Sequence, residues 1–258
     1  MWTMLDREVN RFSKYAGTFA FGWRIILTTG TGSIFGFLVA REAYATAILA
    51  PLFIVMSLLY GTAVYYLILK TISKFHNTYI SDDIVKNLRK LTIMFLFANL
   101  YFLFLYHITN MYIAKHLDYE IFILSSGGIY TIAFWVGQLF VGIVLPIILM
   151  NSSRLSLENS LILSSVLILI GSFVAMYVII IGGQAYPLTI FPDHVIIQSS
   201  FYDNVVHSYI PSLYELGLGL GGVALALIIV LIGIANFKFL PTIIKPAKVA
   251  SDKNEAAD

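Results

Sequence analysis

The sequence predicts an all-α protein, a polytopic transmembrane helix bundle with about six spans. Of its 258 residues 59% are hydrophobic and only 12% are charged, against about 25% charged residues in soluble domains. The mean hydropathy is +0.86. Six apolar runs each approach the roughly 20 residues that a helix needs to cross a bilayer. A soluble domain of this length could not cover so much apolar surface.

The spans divide the chain into three parts. Residues 1–18 are predicted to form an amphipathic helix at the membrane surface, because apolar residues recur there at helical spacing without the apolar core of a secretory signal. Residues 19–240 form the six-span bundle, with a long outer loop at 183–212. Residues 241–258 form a polar, disordered cytoplasmic tail. The predicted spans are 19–40, 43–69, 91–114, 129–150, 159–182 and 213–237.

The basic residues predict the orientation of the bundle. With a cytoplasmic N-terminus and six spans, all but two of the 16 lysines and arginines fall on the cytoplasmic side. The two exceptions are Arg41 and Lys115. Because basic residues concentrate in cytoplasmic loops, both termini are predicted to be cytoplasmic and the loop at 183–212 to face outside.

Glycine pairs predict where helices pack closely. Gly32 and Gly36 in the first span, and Gly217 and Gly221 in the last, are spaced four residues apart. This spacing lets the backbones of two membrane helices approach each other. Small residues are also common in membrane helices in general, so the pattern alone leaves both interpretations open.

Three polar residues within the spans are candidates for function, because polar groups at membrane depth are costly. His107 lies about two turns from the outer end of the third span, and Gln138 lies midway along the fourth. Thr28 belongs to a polar flank of the first span. Each has a structural alternative: a packing histidine, a glutamine that joins helices, and a threonine that bonds its own helix.

Further candidates lie at the outer side. Arg41 is one of only two basic residues there, which favours a specific role over a general interfacial anchor. Glu215 opens the last span, where the helix dipole alone would also favour a carboxylate. Gln184 and Tyr186 stand at the start of the long loop, and their alternative role is to shape that loop.

The chain is predicted to carry no redox centre of its own. It has no cysteine, which excludes a thiolate-ligated iron–sulfur cluster. Of its five histidines, only His107 lies within a predicted span, whereas a bis-histidine haem needs two on facing helices. We therefore expect no haem, no iron–sulfur cluster and no metal in this chain. Any electrons must pass through a diffusible carrier or a partner's cofactor.

The long loop and its flanks resemble the end of the NrfD/PsrC family, the membrane subunits of polysulfide reductase and related quinone-linked complexes. The most specific stretch is IGGQAYPL at 181–188. The similarity extends over residues 20–240 and is strongest to the variants associated with hydrogenase-2 and with sulfite reduction. The other matching stretches are VAREAY at 39–44, FWVGQ at 134–138, PSLYE at 211–215 and the glycine run at 217–222.

The resemblance implies a quinone site near the outer face of the bundle. The residues that it implies for this site are Arg41, Gln138, Gln184, Tyr186 and Glu215. His107 occupies a place where relatives often carry a glutamate, and Thr28 or Thr29 a place where they often carry a histidine. The six spans match only the C-terminal two-thirds of longer members, so a further subunit is expected to supply the missing helices.

The sequence therefore predicts an integral membrane subunit of a respiratory oxidoreductase complex, in a prokaryotic cytoplasmic membrane. It would exchange electrons between a quinone such as menaquinone and a ferredoxin-like iron–sulfur partner. His107 would accept the quinol proton, and Glu215 or Glu42 would pass protons outward. A catalytic or cytochrome subunit of the same complex is a further expected partner, whereas nucleic acid is not.

Two alternatives remain open at this point. The chain could be a membrane anchor or a proton-conducting subunit without a quinone site of its own. It could also be a small secondary transporter, although the inverted repeats and broken helices typical of that class are not evident. As a subunit of a quinone-linked oxidoreductase complex, the chain is expected to have no substrate-active site of its own.

Overall fold

A computed structural model describes residues 7–75, 78–152, 154–187, 206, 209–236 and 245–246. It confirms the predicted all-α, polytopic helix bundle. The helices are α1 (Arg7–Gly36), α2 (Leu49–Phe75), α3 (Asp82–Tyr112), α4 (Leu117–Ile121), α5 (Ile129–Asn151), α6 (Leu157–Ala185) and α7 (Leu213–Asn236). Two short strands, β1 (Thr78–Tyr79) and β2 (Lys245–Pro246), pair antiparallel.

Five of the described helices are long and apolar enough to cross a membrane, rather than about six. They are α2, α3, α5, α6 and the Leu213–Gly233 part of α7. The predicted first span, 19–40, lies in α1 only as far as Gly36, because this helix runs unbroken from Arg7 to Gly36 over 30 residues and residues 37–40 form turns. Its length of about 45 Å would suffice to cross a bilayer. Arg24 and a run of threonines and glycines make it less apolar than the others.

Helix α2 is the centre of the bundle, because α1, α3 and α6 all pack against it. Helix α5 packs mainly against α6. The buried core follows these contacts, with Leu49, Met56 and Leu59 from α2, Leu96 from α3 and Ile168 from α6. By contrast, no residue in the most apolar stretch of α7 is buried.

The two predicted glycine pairs behave differently. A Cβ added at Gly32 would lie 2.7 Å from the Cα of Ala50, and one at Gly36 would lie 2.9 Å from the carbonyl oxygen of Thr46. The first pair therefore lets α1 lie against the start of α2. Gly217 and Gly221 have no atom of the described residues within 4 Å of such a Cβ, so α7 packs on none of these residues there.

The tightest helix contact joins α5 and α6. A Cβ at Gly171 would lie 2.1 Å from the Cα of Gly142, and a Cβ at Gly137 would lie 2.5 Å from the Val174 side chain. No side chain larger than hydrogen fits between the backbones at Gly142 and Gly171. Because these positions are glycines, α5 can lie close enough to α6 to enclose Gln138.

Both helices of this pair contain wider, π-helical turns, at Ala133–Val144 in α5 and Tyr177–Gly182 in α6. Such turns are rare and are frequent at functional sites, because they change the direction of side chains and alter the backbone hydrogen bonding. The turn in α5 contains Gln138. The turn in α6 presents the carbonyl oxygens of Ile179 and Ile180, which accept hydrogen bonds from the hydroxyl of Tyr44.

Replacement of Gly171 by Ala should destabilise the bundle. The added methyl group meets the Gly142 backbone and forces α5 and α6 apart, at a cost of about 1–3 kcal/mol. Gly30→Ala is the matched control, since no described atom lies within 4 Å of a Cβ there and alanine favours a helix by about 1 kcal/mol over glycine. Unfolding in mixed detergent should show a loss of stability for the first variant alone. Equal stability of the two variants would contradict the close contact.

Candidate functional site

A cluster of buried polar side chains fills one end of the bundle. It forms where the end of α3 meets α4, the 37–48 segment and the end of α6. By the predicted orientation this is the outer end. We call it the outer cluster, and its members are Tyr44, Tyr106, His107, Asn110, His116, Tyr119 and Glu120.

The carboxyl group of Glu120 is at the centre of the outer cluster. Only 1% of its surface is exposed. His107 Nδ1 lies 2.7 Å from Glu120 Oε2, and the side-chain amide of Asn110 donates to Oε1 at 2.8 Å. A carboxyl group on Nδ1 fixes that nitrogen as the hydrogen-bearing one and leaves Nε2 of His107 free to accept a proton. Among the described residues, Nε2 has no hydrogen-bond partner.

Asn110 joins a second histidine to this pair. Because its amide nitrogen donates to Glu120, its oxygen is the acceptor for His116 Nδ1 at 3.3 Å. Burial lowers the pKa of His116, and the neighbouring Lys115 lowers it further, while Glu120 acts in the opposite direction. His116 is therefore neutral, as expected for a buried imidazole whose hydrogen-bond partner is an uncharged amide. The cluster therefore holds one carboxyl group and two imidazoles in a continuous chain of hydrogen bonds.

Tyr44 ties the 37–48 segment to α6. Its hydroxyl donates to the carbonyl oxygens of Ile179 and Ile180 at 3.0 and 3.1 Å, within the π-helical turn. A Cβ at Gly183 would lie 2.7 Å from that hydroxyl, so the second glycine of the GGQAYP stretch leaves the space that Tyr44 occupies. Next to Tyr44, Ala45 adopts a φ of 56°, which is uncommon for a residue other than glycine.

Arg41 holds the start of the long loop. Its guanidinium donates to the backbone carbonyls of Gln184 at 2.8 Å and Tyr186 at 3.3 Å. The ring of Tyr186 packs at 5.7 Å from that of Tyr119 and at 5.3 Å from that of Phe122. We call Arg41 with residues 184–186 the arginine clamp. It covers the outer cluster with the aromatic ring of Tyr186.

Gln138 lies between two small internal cavities. It is 5% exposed, and its Oε1 has no hydrogen-bond partner in the part of the chain that the structure describes. The first cavity, about 10 Å³, is lined by Gln138 together with His107, Tyr106 and Tyr119. The second, also about 10 Å³, lies deeper in the bundle. Each has room for about one water molecule.

The structure brings the predicted site residues together in two groups and leaves two of them apart. His107 and Gln138 line one cavity. Arg41, Gln184 and Tyr186 form the arginine clamp, although the side chain of Gln184 is exposed and contributes only its backbone carbonyl.

Thr28 and Glu215 have local roles. The hydroxyl of Thr28 donates to Arg24 of its own helix at 2.8 Å. Glu215 accepts from the backbone N–H of Ser212 at 2.7 Å, while the Ser212 hydroxyl accepts from the N–H of Glu215 at 3.3 Å. This reciprocal pair is a capping box, which starts α7. Neither Thr28 nor Glu215 lines the cavity beside His107.

The central residue, Glu120, and its partner Asn110 are not among the residues predicted from the sequence. Residues 115–128 lie between the predicted spans 91–114 and 129–150, and a carboxylate is unremarkable in a loop between spans. In fact, Leu117–Ile121 is helical and continues as a π-helical turn through Ser126. Glu120 is flanked by the large side chains of Tyr119, Ile121 and Phe122, and this is the signal that could have indicated its burial. A carboxylate is rarely fully buried unless it is paired.

Comparison with known proteins identifies the family. The family model described as "Polysulphide reductase, NrfD" matches residues 1–187. This is a helical membrane protein of the NrfD family.

A relative from Archaeoglobus fulgidus carries the name "Hdr-like menaquinol oxidoreductase integral membrane subunit". It is 24% identical over 237 residues, which cover 91% of the present chain and 60% of the relative. The chain thus spans about three-fifths of the length of this relative. No solved structure matches.

The buried Tyr44 predicts a loss of stability at high pH. Burial raises the pKa of Tyr44 from 10.0 to about 12, partly offset by Arg41. Because the folded state disfavours the tyrosinate, the stabilisation is complete below pH 10 and is lost as the pH rises towards about 12. The free energy of unfolding, measured against pH, should fall over this interval, and Tyr44→Phe should flatten the curve. An unchanged slope in Tyr44→Phe would assign the fall to other tyrosines.

Removal of the arginine clamp should free the start of the long loop. Because the chain has no cysteine, Gln184→Cys supplies a single thiol for maleimide labelling. In the Arg41→Ala background this thiol should react several-fold faster, since the two hydrogen bonds to residues 184 and 186 are lost. Lys115→Ala is the control, because Lys115 donates instead to the carbonyl of Val39 at 3.2 Å. Equal labelling rates with and without Arg41 would show that the clamp does not hold this segment.

Proposed function

We propose that this chain is the quinone-interacting membrane subunit of a respiratory oxidoreductase complex, with His107 as the residue that exchanges a proton with the quinol. Three observations support the proposal: membership of the NrfD family, the menaquinol oxidoreductase name of the relative, and the geometry of the outer cluster. The observation that carries it is the contact of 2.7 Å between His107 and the buried Glu120.

A histidine and carboxyl pair suits the first step of quinol oxidation. A quinol releases two protons and two electrons when it becomes a quinone. Nε2 of His107 accepts one hydroxyl proton, and Glu120 stabilises the imidazolium that results, because it lies within hydrogen-bond distance of Nδ1. In the low dielectric of the bundle this pairing is stronger than in water. The second proton goes to water beside Gln138.

The quinone ring must reach His107 from the side of the bundle. The cavity beside His107 is about 10 Å³, far below the roughly 300–1,000 Å³ of ordinary ligand pockets. However, 12% of the His107 side chain is exposed, and its ring packs at 4.7 Å from Phe134 of α5. This exposed edge lies where α3 and α5 meet, and the apolar side chains Phe104 and Trp135 on those helices are exposed as well.

A second membrane subunit would complete this site. The matched part of the relative is only 60% of its length, and the described residues leave the face of α3 and α5 beside His107 uncovered. Helices from a partner placed over that face would enclose the quinone ring and exclude lipid. The arginine clamp, with Tyr186 above Tyr119, forms the outer wall of the same site.

We propose that the electrons leave through a partner, because the chain has no cysteine with which to hold an iron–sulfur cluster. We propose a ferredoxin-like iron–sulfur subunit as their acceptor or donor, beside a catalytic or cytochrome subunit. The complex would lie in a prokaryotic cytoplasmic membrane. In this assignment Thr28 and Glu215 have no role beyond their own helices.

His107→Ala should weaken the saturable binding of a hydroxyl-bearing quinol-analogue inhibitor to the native complex. We expect at least about tenfold weaker binding, since the substitution removes the Nε2 atom that accepts a hydrogen bond from the inhibitor hydroxyl. Menaquinol oxidation should fall by a factor of about 100 or more, because general base catalysis contributes 10²–10⁴-fold. Glu120→Gln should keep most of the binding but lower turnover, since the imidazolium loses its charged partner. Fluorescence titration and a dye-linked turnover assay measure the two effects.

Glu158→Gln is the matched control for Glu120→Gln. Glu158 forms an ion pair with Lys70 at the opposite end of the bundle, and its substitution should change neither binding nor turnover. Saturable binding of unchanged affinity in His107→Ala would move the quinone site to other residues or to a partner. Absence of saturable binding in the unaltered complex would overturn the proposal and favour a membrane anchor.

A further inference from the structure

Asn110 is a fully buried amide with a hydrogen-bond partner on either side. None of its surface is exposed. Its nitrogen donates to Glu120 Oε1 at 2.8 Å, and its oxygen lies 3.3 Å from His116 Nδ1. It follows His107 by three positions on α3, so the two side chains leave the same face of that helix. Helix α3 therefore presents two partners to one carboxyl group.

His116 fixes the direction in which this amide points. The nitrogen and the oxygen of an asparagine side chain have nearly the same shape, so their partners determine the orientation. An ionised Glu120 offers only acceptor atoms and needs the amide nitrogen. A hydrogen on His116 Nδ1 needs the amide oxygen. With both partners in place, one orientation of Asn110 satisfies the whole chain of bonds.

This orientation favours the ionised form of Glu120. An N–H group bonds a carboxylate more strongly than it bonds a carboxylic acid. Two nitrogens, Asn110 Nδ2 and His107 Nδ1, face the two oxygens of Glu120. Because the carboxylate carries no hydrogen, the hydrogen between Glu120 and His107 belongs to Nδ1. The other ring nitrogen of His107, Nε2, then presents a lone pair.

The charges around Glu120 agree with this assignment. Among the described residues, the titratable side chains that face it are Tyr106, His107, His116 and Tyr119. Tyrosines are uncharged near pH 7, and Lys115, next to His116 in the chain, donates instead to the carbonyl of Val39. With both imidazoles neutral, the outer cluster carries one negative charge. A proton on Nε2 of His107 cancels this charge, so Nε2 is a favourable acceptor.

We propose that Asn110 is a positioning residue that makes the site select the quinol form of its ligand over the quinone form. A quinol offers hydroxyl hydrogens, whereas a quinone offers only carbonyl oxygens, which are acceptors. The lone pair on Nε2 of His107 bonds the first and repels the second. Asn110 acts through Glu120 and does not touch the ligand. This inference rests on the proposed function and adds the form of the ligand that is recognised.

Protonation of His107 reverses the preference. Once Nε2 has accepted a proton, it becomes an N–H donor, which bonds a quinone carbonyl. The quinone is therefore held until His107 loses this proton, and it is released when Nε2 regains its lone pair. The preference for the quinol should accordingly be larger at high pH than at low pH.

The test compares the affinities of the native complex for a short-chain naphthoquinone and for its quinol, without oxygen. Each form competes with the hydroxyl-bearing fluorescent inhibitor. The partner's centres are first oxidised for the quinone and first reduced for the quinol, so that no electrons flow. At pH 8 the unaltered complex should bind the quinol at least about tenfold more tightly, since the quinone lacks the hydrogen bond to Nε2. This ratio should shrink as the pH falls.

Two substitutions of Asn110 should change the ratio in different ways. Asn110→Leu removes the donor that favours the carboxylate, so the ratio should fall to about one. Asn110→Asp adds negative charge beside the pair and favours the imidazolium, so the preference for the quinol should appear only at higher pH. A purely structural role would not displace the pH dependence.

Asn99→Leu is the matched control. Asn99 is also a buried asparagine of α3, but it lines the deeper cavity rather than contacting Glu120. Its substitution should leave the ratio unchanged. Because two affinities are compared on one preparation, any inactive protein cancels from the ratio.

Equal affinity of the unaltered complex for the two forms at every pH would overturn the inference, whether or not any variant folds. A ratio in Asn110→Leu and Asn110→Asp that equals that of the unaltered complex would overturn the role of Asn110. Either result would leave the quinone site at His107 standing, because that site is tested by the binding of the inhibitor to His107→Ala. Absence of all saturable binding would overturn both proposals.

Discussion

The arrangement of this protein depends on one buried carboxyl group. A carboxylate in a membrane bundle is costly unless it is paired and hydrogen-bonded, and both oxygens of Glu120 have partners from α3. To meet them, α4 must fold back against the end of α3. That position of α4 in turn brings Tyr119 and Phe122 under the ring of Tyr186. The outer end of the bundle is therefore organised around the hydrogen-bond partners of a single buried carboxyl group.

The spans were predictable because their signal is long and repeated. Apolar runs of about 20 residues identified α2, α3, α5, α6 and α7, with ends that differ from the helices by only a few residues on most of them. The ends of α1 were harder to predict, because Arg24 and several threonines make this helix less apolar than the others. The start of α2 also came later than predicted, at Leu49, because residues 37–48 fold into turns around Tyr44 rather than extending the helix.

The site was predictable only where a residue was unusual for its surroundings. His107 and Gln138 stood out because they interrupt apolar spans, and the structure places them on one cavity. Arg41 stood out by its charge. Glu120 did not, because its burial comes from the fold of α4 over α3, and no local pattern in the sequence encodes that contact. Glu215 stands out in the sequence because it is a carboxylate at the start of an apolar run. The capping box at the start of α7 accounts for a carboxylate at this position.

The arginine clamp has a consequence for the synthesis of the protein. Arg41 and Gln184 are separated by 143 positions in the chain. At a translation rate of about 5–20 residues per second, Arg41 waits roughly 7–30 s before its carbonyl partners leave the ribosome. During that time α1 and α2 are already made, while their outer turn, with Arg41 and Tyr44, still lacks its contacts to α6. The outer cluster is thus sealed late, and a membrane insertase or a partner subunit has this interval in which to act.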